Sequence, residues 1–568
     1  MQTTRTWFDT FSLALLAVAV GGVTAYASLG FLVAIGLLHE LFVGESGSTL
    51  YSHLAEISPV FLFMVPVVGA VIVSLIVTYG VPGRRNYGPA DVIQAAQHGD
   101  GRMSLREGLT NASATIVSIG SGASVGRYGP VVHLGATLAA WLAERCRLDE
   151  DRRKTILACG VAGAISASFS APLAGVVFAH EVVVGRFSIR SVMPIVISSV
   201  VATTIAGFYE ITGTLFALPD LAVVFAWEYL IFAIVGAVGG SLAVFFMAMM
   251  RQFNQIAQHV PGPPIIRALC GGALLGIVIV IFPETFGLGE RVIQDALSLE
   301  ITIGILLLLV FAKLLATSVS FAAGFSGGVF GPALFIGAMM GTAIGLGVHE
   351  FTDAASSPAV YGVAGMGAVI SRVIGSPIAT ILLVFELTGS YTLMTAVMVS
   401  VVVGGTVTGS FFNHSYFHFQ LRARGVNPDE PRTQQRLRDI KINALVVKTP
   451  VVLTDDVTVQ AAREMLIQHG VSEAYVIDGA GQLLGRIDVV VLLKINNEDS
   501  FNQSVSFFLS KPKVVLQEQM SLLDATTTLQ SSADISIPVI DGEVSRQFLG
   551  VIDKNVLMQA VLRATTDT

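Results

Sequence analysis

The chain has 568 residues, of which 53% are hydrophobic and only 13% are charged, and its mean hydropathy is +0.72. This composition is too apolar for a soluble globular protein, so most of the chain is expected to lie in a lipid bilayer. The net charge of −7 provides no basic surface for nucleic acid, and the three cysteines, Cys146, Cys159 and Cys270, are too few for a disulfide framework or a cysteine-based metal site.

Long uncharged stretches occupy residues 11 to about 412, whereas the tail from residue 421 onward has the polarity of a soluble protein. The first stretch, 11–38, has no cleavage site and is long enough to span a bilayer, so it predicts a retained helix and not a signal peptide. Further apolar runs lie at 58–79, 190–208, 222–250, 265–282, 300–319, 333–348, 377–385 and 393–412. We therefore expect a multi-pass membrane domain over 1–425, a linker over 426–443 and a soluble domain over 444–568.

Glycine and proline interrupt the apolar pattern, and the interruptions repeat. Residues 128–136 (YGPVVHLGA) and 330–338 (FGPALFIGA) share one pattern 202 positions apart. Residues 171–174 (APLA) and 376–379 (SPIA) are each followed by a glutamate nine positions beyond the proline: Glu181 and Glu386. Corresponding broken segments in two halves predict an internal duplication of about 200 residues, with a binding site where the repeats meet.

The soluble tail is also duplicated. Residues 484–492 (LGRIDVVVL) match residues 549–557 (LGVIDKNVL), and each copy follows a short apolar strand, at 474–477 or 537–540. A stretch with helical periodicity precedes each strand, at 458–469 and 521–530. Two copies of a β-α-β-β-α unit predict paired α+β modules, at about 444–500 and 506–568.

Residues 126–130 (GRYGP) and 327–332 (GGVFGP) are typical of helix starts. A helix start presents unpaired N–H groups and the positive end of the helix dipole, which together bind anions. Burying an ion costs on the order of tens of kcal/mol and each charge-assisted hydrogen bond returns about 1.5–3, so several donors are needed. Neutral donors allow release as well as binding, so this pattern favours an anion pathway.

These motifs resemble those of the CLC family, the voltage-gated chloride channel family that also contains proton/chloride antiporters. The residues that carry the resemblance are the two helix-start motifs, residues 171–175 (APLAG) with Glu181, and Tyr416 in residues 415–422 (SYFHFQLR). The resemblance covers essentially the whole chain, including a C-terminal pair of CBS domains. It implies a polytopic all-α membrane domain with an internal inverted repeat of broken and tilted helices, plus a cytoplasmic α+β CBS pair.

The resemblance also implies a homodimer with one pore per subunit, in the lipid bilayer of a bacterial inner (plasma) membrane. Chloride or a similar small anion is the implied permeant ligand, and no cofactor or metal is required. The implied anion-binding residues are Val329, Phe330, Gly331, Gly129, Arg127 and Tyr416, with Tyr87 and Gly88 where the family has its Gly-Ser-Gly-Ile-Pro motif.

Two departures from the family pattern concern proton coupling. Tyr128 stands where the family has its gating glutamate, and Val182 stands where its transporters have an inner proton acceptor. A tyrosine titrates near pH 10, so at neutral pH its phenol can donate a hydrogen bond to an anion but cannot replace one. We therefore expect passive, channel-like transport gated by Tyr128. The alternative is a proton-coupled antiporter with a non-standard proton path through Glu181, His180 or His133.

Simpler interpretations apply to several of these residues. Tyr128 could be a packing aromatic on an inactive scaffold, and Tyr416 could belong to an interfacial aromatic belt. Intramembrane carboxylates are functional by default. The matched repeat positions of Glu181 and Glu386 nevertheless favour a structural role, in which they cap or pair inside the helix bundle.

Asp488 and Asp553, in the duplicated tail segments, either close a turn or hydrogen-bond the ribose of an adenine nucleotide. An enzymatic alternative is an intramembrane metalloprotease, which needs a His-Glu-x-x-His motif. His39 and His180 are each followed by a glutamate, but the second histidine is absent both times. The sequence therefore predicts a protein that is not an enzyme.

Overall fold

The computed structural model describes residues 2–47, 50–83, 85–185, 187, 189–209, 222–409, 414–428, 430, 432–448, 451–495, 498–529, 534–542 and 544–566. The chain divides into two compact units, Met1–Asn427 and Pro428–Thr568. We describe each unit by itself.

The described part of the first unit consists of helices and their connections. In chain order the helices are α1 (Gln2–Val43), α2 (Leu50–Glu56), α3 (Pro59–Gly80), α4 (Pro89–Ile93), α5 (Leu105–Gly120), α6 (Tyr128–Arg145), α7 (Glu150–Phe169), α8 (Pro172–Phe178), α9 (Ile189–Phe208), α10 (Glu228–Gln258), α11 (Pro264–Ile281), α12 (Glu290–Leu297), α13 (Ile303–Ala323), α14 (Phe330–His349), α15 (Pro358–Ile374), α16 (Pro377–Thr388), α17 (Tyr391–Gly409) and α18 (Tyr416–Ala423). Short π-helical turns follow α4 and α8, at Gln94–His98 and Ala179–Val184, and a 3-10 turn, Pro283–Thr285, lies between α11 and α12.

Within the described ranges, eight helices are long and apolar enough to cross a membrane. They are α1 (from Phe11), α3, α9, α10, α11, α13, α14 and α17. Each coincides with a predicted apolar run, which confirms the multi-pass membrane domain. The predicted run at 377–385 is the short helix α16, which is too short to span. The end of the last predicted run, 410–412, lies outside the described residues.

Helices α6, α7 and α15 have almost entirely buried faces and are rich in glycine and alanine. Small residues allow their backbones to approach closely, in the same way in both repeats. In the first repeat, a Cβ built on Gly135 of α6 would lie 2.6 Å from the carbonyl oxygen of Gly160 in α7. In the second repeat, a Cβ built on Gly337 of α14 would lie 2.5 Å from the carbonyl oxygen of Gly365 in α15. These tight pairs form the centre of the membrane unit.

The two repeats also meet at the half-helices α8 and α16, each of which begins at a proline. The Glu386 carboxylate accepts hydrogen bonds from the backbone N–H groups of Leu173 and Ala174, at 2.7 and 2.8 Å. In turn, the Glu181 carboxylate accepts from Ile378 and Ala379, at 3.0 and 2.9 Å. The capping interpretation of these two glutamates is confirmed.

The second unit contains two similar α+β modules. The strands β1 (Val452–Thr454), β2 (Glu473–Ile477) and β3 (Leu483–Asp488) form one sheet, and β4 (Leu516–Gln517), β5 (Ser536–Ile540) and β6 (Phe548–Asp553) form the other. In both sheets the first pair is parallel and the second antiparallel. The helices of this unit are α19 (Arg432–Asp439), α20 (Val459–Gln468), α21 (Val489–Lys494), α22 (Glu498–Phe501), α23 (Leu522–Leu529) and α24 (Lys554–Thr566). The predicted duplication of the tail is therefore confirmed.

The predicted linker, 426–443, differs from the observed structure. Most of it belongs to the second unit and includes helix α19, whose Leu437 packs with Ile442 in the core of the second module. The apolar pattern of this segment is short and surrounded by charged residues, so its sequence resembles that of a linker. Burial against α23 and α24 stabilises the helix instead.

Candidate functional site

The starts of α6 and α14 lie side by side. The segments that precede them form an antiparallel bridge, in which the Gly126 N–H donates to the Gly328 carbonyl at 2.6 Å and the Gly328 N–H donates to the Gly126 carbonyl at 2.7 Å. Only glycine fits at this contact, because a Cβ on Gly126 would lie 2.8 Å from the backbone nitrogen of Gly331. The antiparallel direction of the bridge is what an inverted repeat requires.

This bridge places the positive ends of two helix dipoles next to each other. Helix α6 begins at Tyr128 and α14 at Phe330, two residues beyond each bridging glycine. The first N–H groups of a helix have no intrahelical acceptor, so Gly129 and Gly331 present donors at these ends. The third position of each helix is a proline, Pro130 or Pro332, which has no N–H group.

A cavity of about 220 Å³ adjoins the two helix starts. Its walls are mostly apolar, with a few polar groups that face inward, as is usual for a site that must hold and release a small ligand. Of the residues expected at the anion site, the cavity is lined by Tyr87, Gly88, Tyr128, Gly129, Val329, Phe330 and Tyr416. Gly331 and Arg127 lie behind this first layer.

Tyr128 closes one wall of the cavity with its ring. The ring stacks on Phe169, with centroids 3.9 Å apart and planes inclined by 18°, and it meets Phe330 edge-on at 5.1 Å. Its hydroxyl accepts a hydrogen bond from Arg127 Nη2 at 3.2 Å and donates one to Glu290 Oε1 at 3.4 Å. The side chain is therefore fixed at both ends, in a position where it can obstruct a path through the cavity.

Tyr416 is the first residue of α18, behind Ser415, whose Oγ accepts from the backbone N–H of His418. The Tyr416 ring packs edge-on against Phe321 at a centroid distance of 6.3 Å and is buried. Gln420, four residues further along α18, lines the same cavity. The start of a short helix thus carries a neutral hydroxyl to the cavity wall.

Tyr87 and Gly88, which the resemblance implies as anion-binding residues, lie in the cavity wall. The backbone N–H of Tyr87 donates to Asn111 Oδ1 at 3.1 Å, and that of Gly88 donates to Asp91 Oδ2 at 2.9 Å. These two N–H groups already have acceptors, and both residues line the cavity. The Tyr87 ring carries the Arg85 guanidinium over its face, 4.1 Å from the centroid.

One charged residue at the cavity was not singled out from the sequence. Arg424 lines the cavity and its Nη1 lies 2.8 Å from Asp91 Oδ1. Asp91 also pairs with Arg85 at 2.7 Å and is 8% exposed. One carboxylate therefore pairs with two guanidinium groups at the edge of the cavity. No sequence signal indicated this contact, because Asp91 and Arg424 are 333 positions apart.

The residues tied to proton transfer are separated in the structure. Val182 is buried in the π-helical turn after α8, and its carbonyl accepts from Gln97 Nε2 at 3.1 Å. His133 is buried beside the ring of Tyr87, whereas His180 stacks on Phe187 at 5.2 Å. None of these three side chains is among those that line the described cavity.

In the second unit, Asp553 accepts a hydrogen bond from the backbone N–H of Asn555 at 2.7 Å, which supports its turn-closing interpretation. Asp488 lies opposite Glu473 in the β2–β3 register. Nearby, Arg486 Nη1 lies 2.9 Å from Asp534 and 3.5 Å from Glu473. Burial raises the pKa of the Glu473 carboxyl, and the Arg486 charge only partly opposes that shift.

Comparison with known proteins agrees with this geometry. The sequence profile of the family described as voltage gated chloride channel matches residues 69–409, and that of the CBS domain matches residues 438–495. A ClcB-like protein of Ralstonia nicotianae is 31% identical over 346 residues, which cover 60% of this chain and 81% of the relative. The voltage-gated ClC-type chloride channel ClcB of Escherichia coli is 27% identical over 412 residues, which cover 72% of this chain and 98% of the relative.

Solved structures share the fold. A slow cyanobacterial Cl⁻/H⁺ antiporter superposes with a TM-score of 0.64 at 21% identity, over 72% of this chain and 97% of its own. A CLC-type fluoride/proton antiporter gives 0.62 at 21% identity, over 73% of this chain and 98% of its own. A eukaryotic CLC transporter gives 0.62 at 20% identity and covers 96% of this chain and 97% of its own. The profile match spans more than half of the sequence, and the paired α+β modules complete the match: the chain belongs to the CLC family of chloride channels and transporters and carries a C-terminal CBS pair.

Proposed function

We propose that this chain moves chloride, or a similar small anion, passively and without a fixed exchange of protons. The observation that carries the proposal is the place of Tyr128, at the start of α6 and in the wall of the cavity. A phenol in that place can donate to an anion or obstruct its path. It cannot act as an ionised side chain that competes with the anion at neutral pH.

The anion in this proposal lies between the starts of α6 and α14. Backbone N–H groups of Val329, Phe330 and Gly331 complete its shell together with the hydroxyl of Tyr416. All these donors are neutral, so they compensate for lost hydration without binding the ion too strongly for release. The paired guanidinium of Arg424 raises the local anion concentration.

A proton-coupled antiporter is the second candidate, and one contact favours it. Glu290 places a carboxylate against the Tyr128 hydroxyl, so a titratable acid does exist at the outer gate, although on another element. Val182, at the position where transporters of the family have the inner proton acceptor, is buried and apolar. Two of the solved structures that share the fold are proton antiporters, which gives this candidate a precedent within the fold.

Proteoliposomes with simultaneous chloride and proton recording separate the two candidates. With an outward chloride gradient, passive transport gives chloride efflux that needs a potassium ionophore and moves no protons. Uphill proton movement in a fixed ratio to chloride would overturn the proposal. The Val182→Glu variant serves as a control, because it returns a carboxylate to the inner position without altering the gate.

The proposal extends to the assembly and to the soluble tail. Resemblance to the family supports a homodimer in a bacterial inner membrane, with the CBS pair in the cytoplasm. The CBS fold supports adenine-nucleotide binding near Asp488 and Asp553, and the relatives are channels and transporters, which disfavours the protease alternative. Isothermal titration of the full-length protein with ATP, ADP and AMP tests the nucleotide, and the absence of heat with all three would remove it.

A further inference from the structure

Glu290 lies beside the start of α6, at a position where no sequence motif predicted a functional residue. It is the first residue of α12, and its side chain is 35% exposed, whereas the Tyr128 residue is 4% exposed. One carboxylate oxygen, Oε1, lies 3.2 Å from Arg127 Nη2 and 3.4 Å from the Tyr128 hydroxyl. Tyr128 therefore lines the cavity and at the same time contacts, through its hydroxyl, a carboxylate that is partly exposed to solvent.

The segment that carries Glu290 is held firmly in place. The buried Lys313 donates from Nζ to the carbonyl oxygens of Thr285 and Gly287, at 3.1 and 2.9 Å. The Tyr51 hydroxyl donates to the Phe286 carbonyl at 3.0 Å, and the Gly287 N–H donates to Gly122 at 3.1 Å. These hydrogen bonds fix the loop to α2, α13 and the end of α5. The fold therefore holds the backbone of Glu290 beside Arg127 and Tyr128.

We propose that Glu290 and Arg127 form a latch that holds Tyr128 across the anion path, and that the outer gate opens when the phenol leaves the carboxylate. This inference rests on the proposed function, since it takes Tyr128 to be the gate. Glu290 is a positioning residue in this scheme: it contacts the gate and not the anion.

The charge of Glu290 determines the strength of the latch. The ionised carboxylate accepts the phenol hydrogen bond and pairs with Arg127. A protonated carboxyl accepts weakly and leaves the guanidinium unpaired, so acid on the outer side favours release of Tyr128. Proton uptake at Glu290 thus becomes a signal for opening, without any proton being carried across.

Other charged and titratable groups surround this carboxylate. Besides Arg127 and Tyr128, the groups that face it or its segment are His39 of α1, Tyr51 of α2, Lys313 of α13, Glu284 of the loop, and Arg291 and Asp295 of α12. Burial raises the pKa of the Asp295 carboxyl, so this group can also change charge in mild acid. His39 is a further titratable group. Its Nε2 is hydrogen-bonded to the Ile119 carbonyl, at 3.1 Å, and it makes no contact with the gate that the structure describes.

Four proteins reconstituted in liposomes test the latch: the wild type and the variants Glu290→Gln, Tyr128→Phe and Asp295→Asn. Chloride efflux is recorded at an outer pH from 4 to 8. We expect wild-type efflux to rise about fivefold in acid, as expected for one hydrogen bond, and E290Q to show the raised rate at every pH. D295N breaks an ion pair on the same helix, away from the gate, and should keep the wild-type profile.

Tyr128→Phe keeps the ring but removes the hydroxyl, so it should also be fast and insensitive to pH. In the double variant, E290Q should add nothing to Y128F, because both changes break the same contact. An E290Q effect that persists in the Y128F background would show that Glu290 acts on Arg127 or on the anion directly, and would overturn the latch. A wild-type pH response that survives E290Q would assign the response to another group, such as His39 or Asp295, and would also overturn the latch.

The same vesicles separate this inference from the proposed function. Uphill proton movement in the wild type refutes passive transport whatever the pH profiles show. If that movement disappears in E290Q, Glu290 carries protons and is not a latch. With no proton movement and with equal pH profiles for wild type and E290Q, passive transport stands and the latch is refuted.

Discussion

Glu181 and Glu386 each cap the half-helix that belongs to the other's repeat, through paired hydrogen bonds to two consecutive backbone N–H groups. The exchange is reciprocal, and Ser376 adds a third bond to Glu181 at 3.0 Å. A carboxylate at a helix start is favoured both by the unpaired donors and by the helix dipole. The two repeats are therefore joined by charge-assisted hydrogen bonds.

Replacement of either glutamate by alanine should destabilise the membrane unit by about 1–3 kcal/mol, because two N–H groups then lose their acceptors. Thermal unfolding of the detergent-solubilised protein, followed by circular dichroism, measures the change. Glu350→Ala, at an exposed position after α14, is the control and should leave the midpoint nearly unchanged. Equal midpoints for E181A, E386A and E350A would contradict the capping role.

Tyr416→Phe should lower anion affinity about five- to tenfold, since one hydroxyl donor is lost from the proposed shell while the ring and its packing remain. Anion binding to the purified protein, measured by calorimetry, reports the affinity directly. Tyr391→Phe removes a hydroxyl from an exposed tyrosine at the start of α17 and is the matched control. An affinity that does not change in Y416F would assign the site to backbone donors alone.

Tyr128→Ala should raise chloride flux more than Tyr128→Phe does, because it removes the ring that stacks on Phe169 and not only the hydroxyl. We expect an increase of about tenfold, which corresponds to about 1.4 kcal/mol of barrier. Flux from liposomes at fixed membrane potential measures it. If Y128A were slower than the wild type, the ring would support the path and would not obstruct it.

Gly126→Ala should destabilise the protein and abolish flux, since the new Cβ would collide with the backbone nitrogen of Gly331 and separate the two helix starts. The expected loss is about 1–3 kcal/mol. Gly347→Ala is the control: it lies in α14, with no heavy atom within 4 Å of the added Cβ. That change should be neutral or slightly stabilising, because alanine favours a helix over glycine. Thermal unfolding and flux measured on both variants test the contrast.

Glu473→Gln should stabilise the CBS pair at pH 7 but not at pH 4. Burial raises the pKa of this carboxyl in the folded state, so its contribution to stability is greatest below its unfolded pKa and decreases as the pH rises through the folded value. Glutamine is neutral throughout and avoids that decrease. Hydrogen exchange of strand β2 in the full-length protein, at both pH values, measures the difference. Lower protection in E473Q than in wild type at pH 7 would show that the pairing with Arg486 outweighs burial.

The fold could be predicted from sequence wherever burial leaves a long apolar run. All eight potential spans coincide with such runs, because a helix that faces lipid must be apolar on most of its surface. Helices α7 and α15 were missed for the opposite reason. They are enclosed by protein, so glycine, alanine and serine suffice, and the first turn of α7 even contains charged residues.

The site was partly predictable, through its repeated motifs. Glycine–proline helix starts indicated Tyr128 and Phe330, and the duplication indicated that they would meet. Contacts between distant parts of the chain carry no such signal. Glu290 reaches Tyr128 across 162 positions, and the acceptors that occupy the N–H groups of Tyr87 and Gly88 could be identified only once the loops were placed.

The bridge between Gly126 and Gly328 also limits when during synthesis the site can exist. Its two hydrogen bonds join residues that leave the ribosome 202 positions apart, which takes roughly 10–40 s at about 5–20 residues per second. Until the later repeat has been inserted, the first helix start has no partner and the cavity has no second wall. A nascent chain that lacks the second repeat therefore cannot contain the complete cavity.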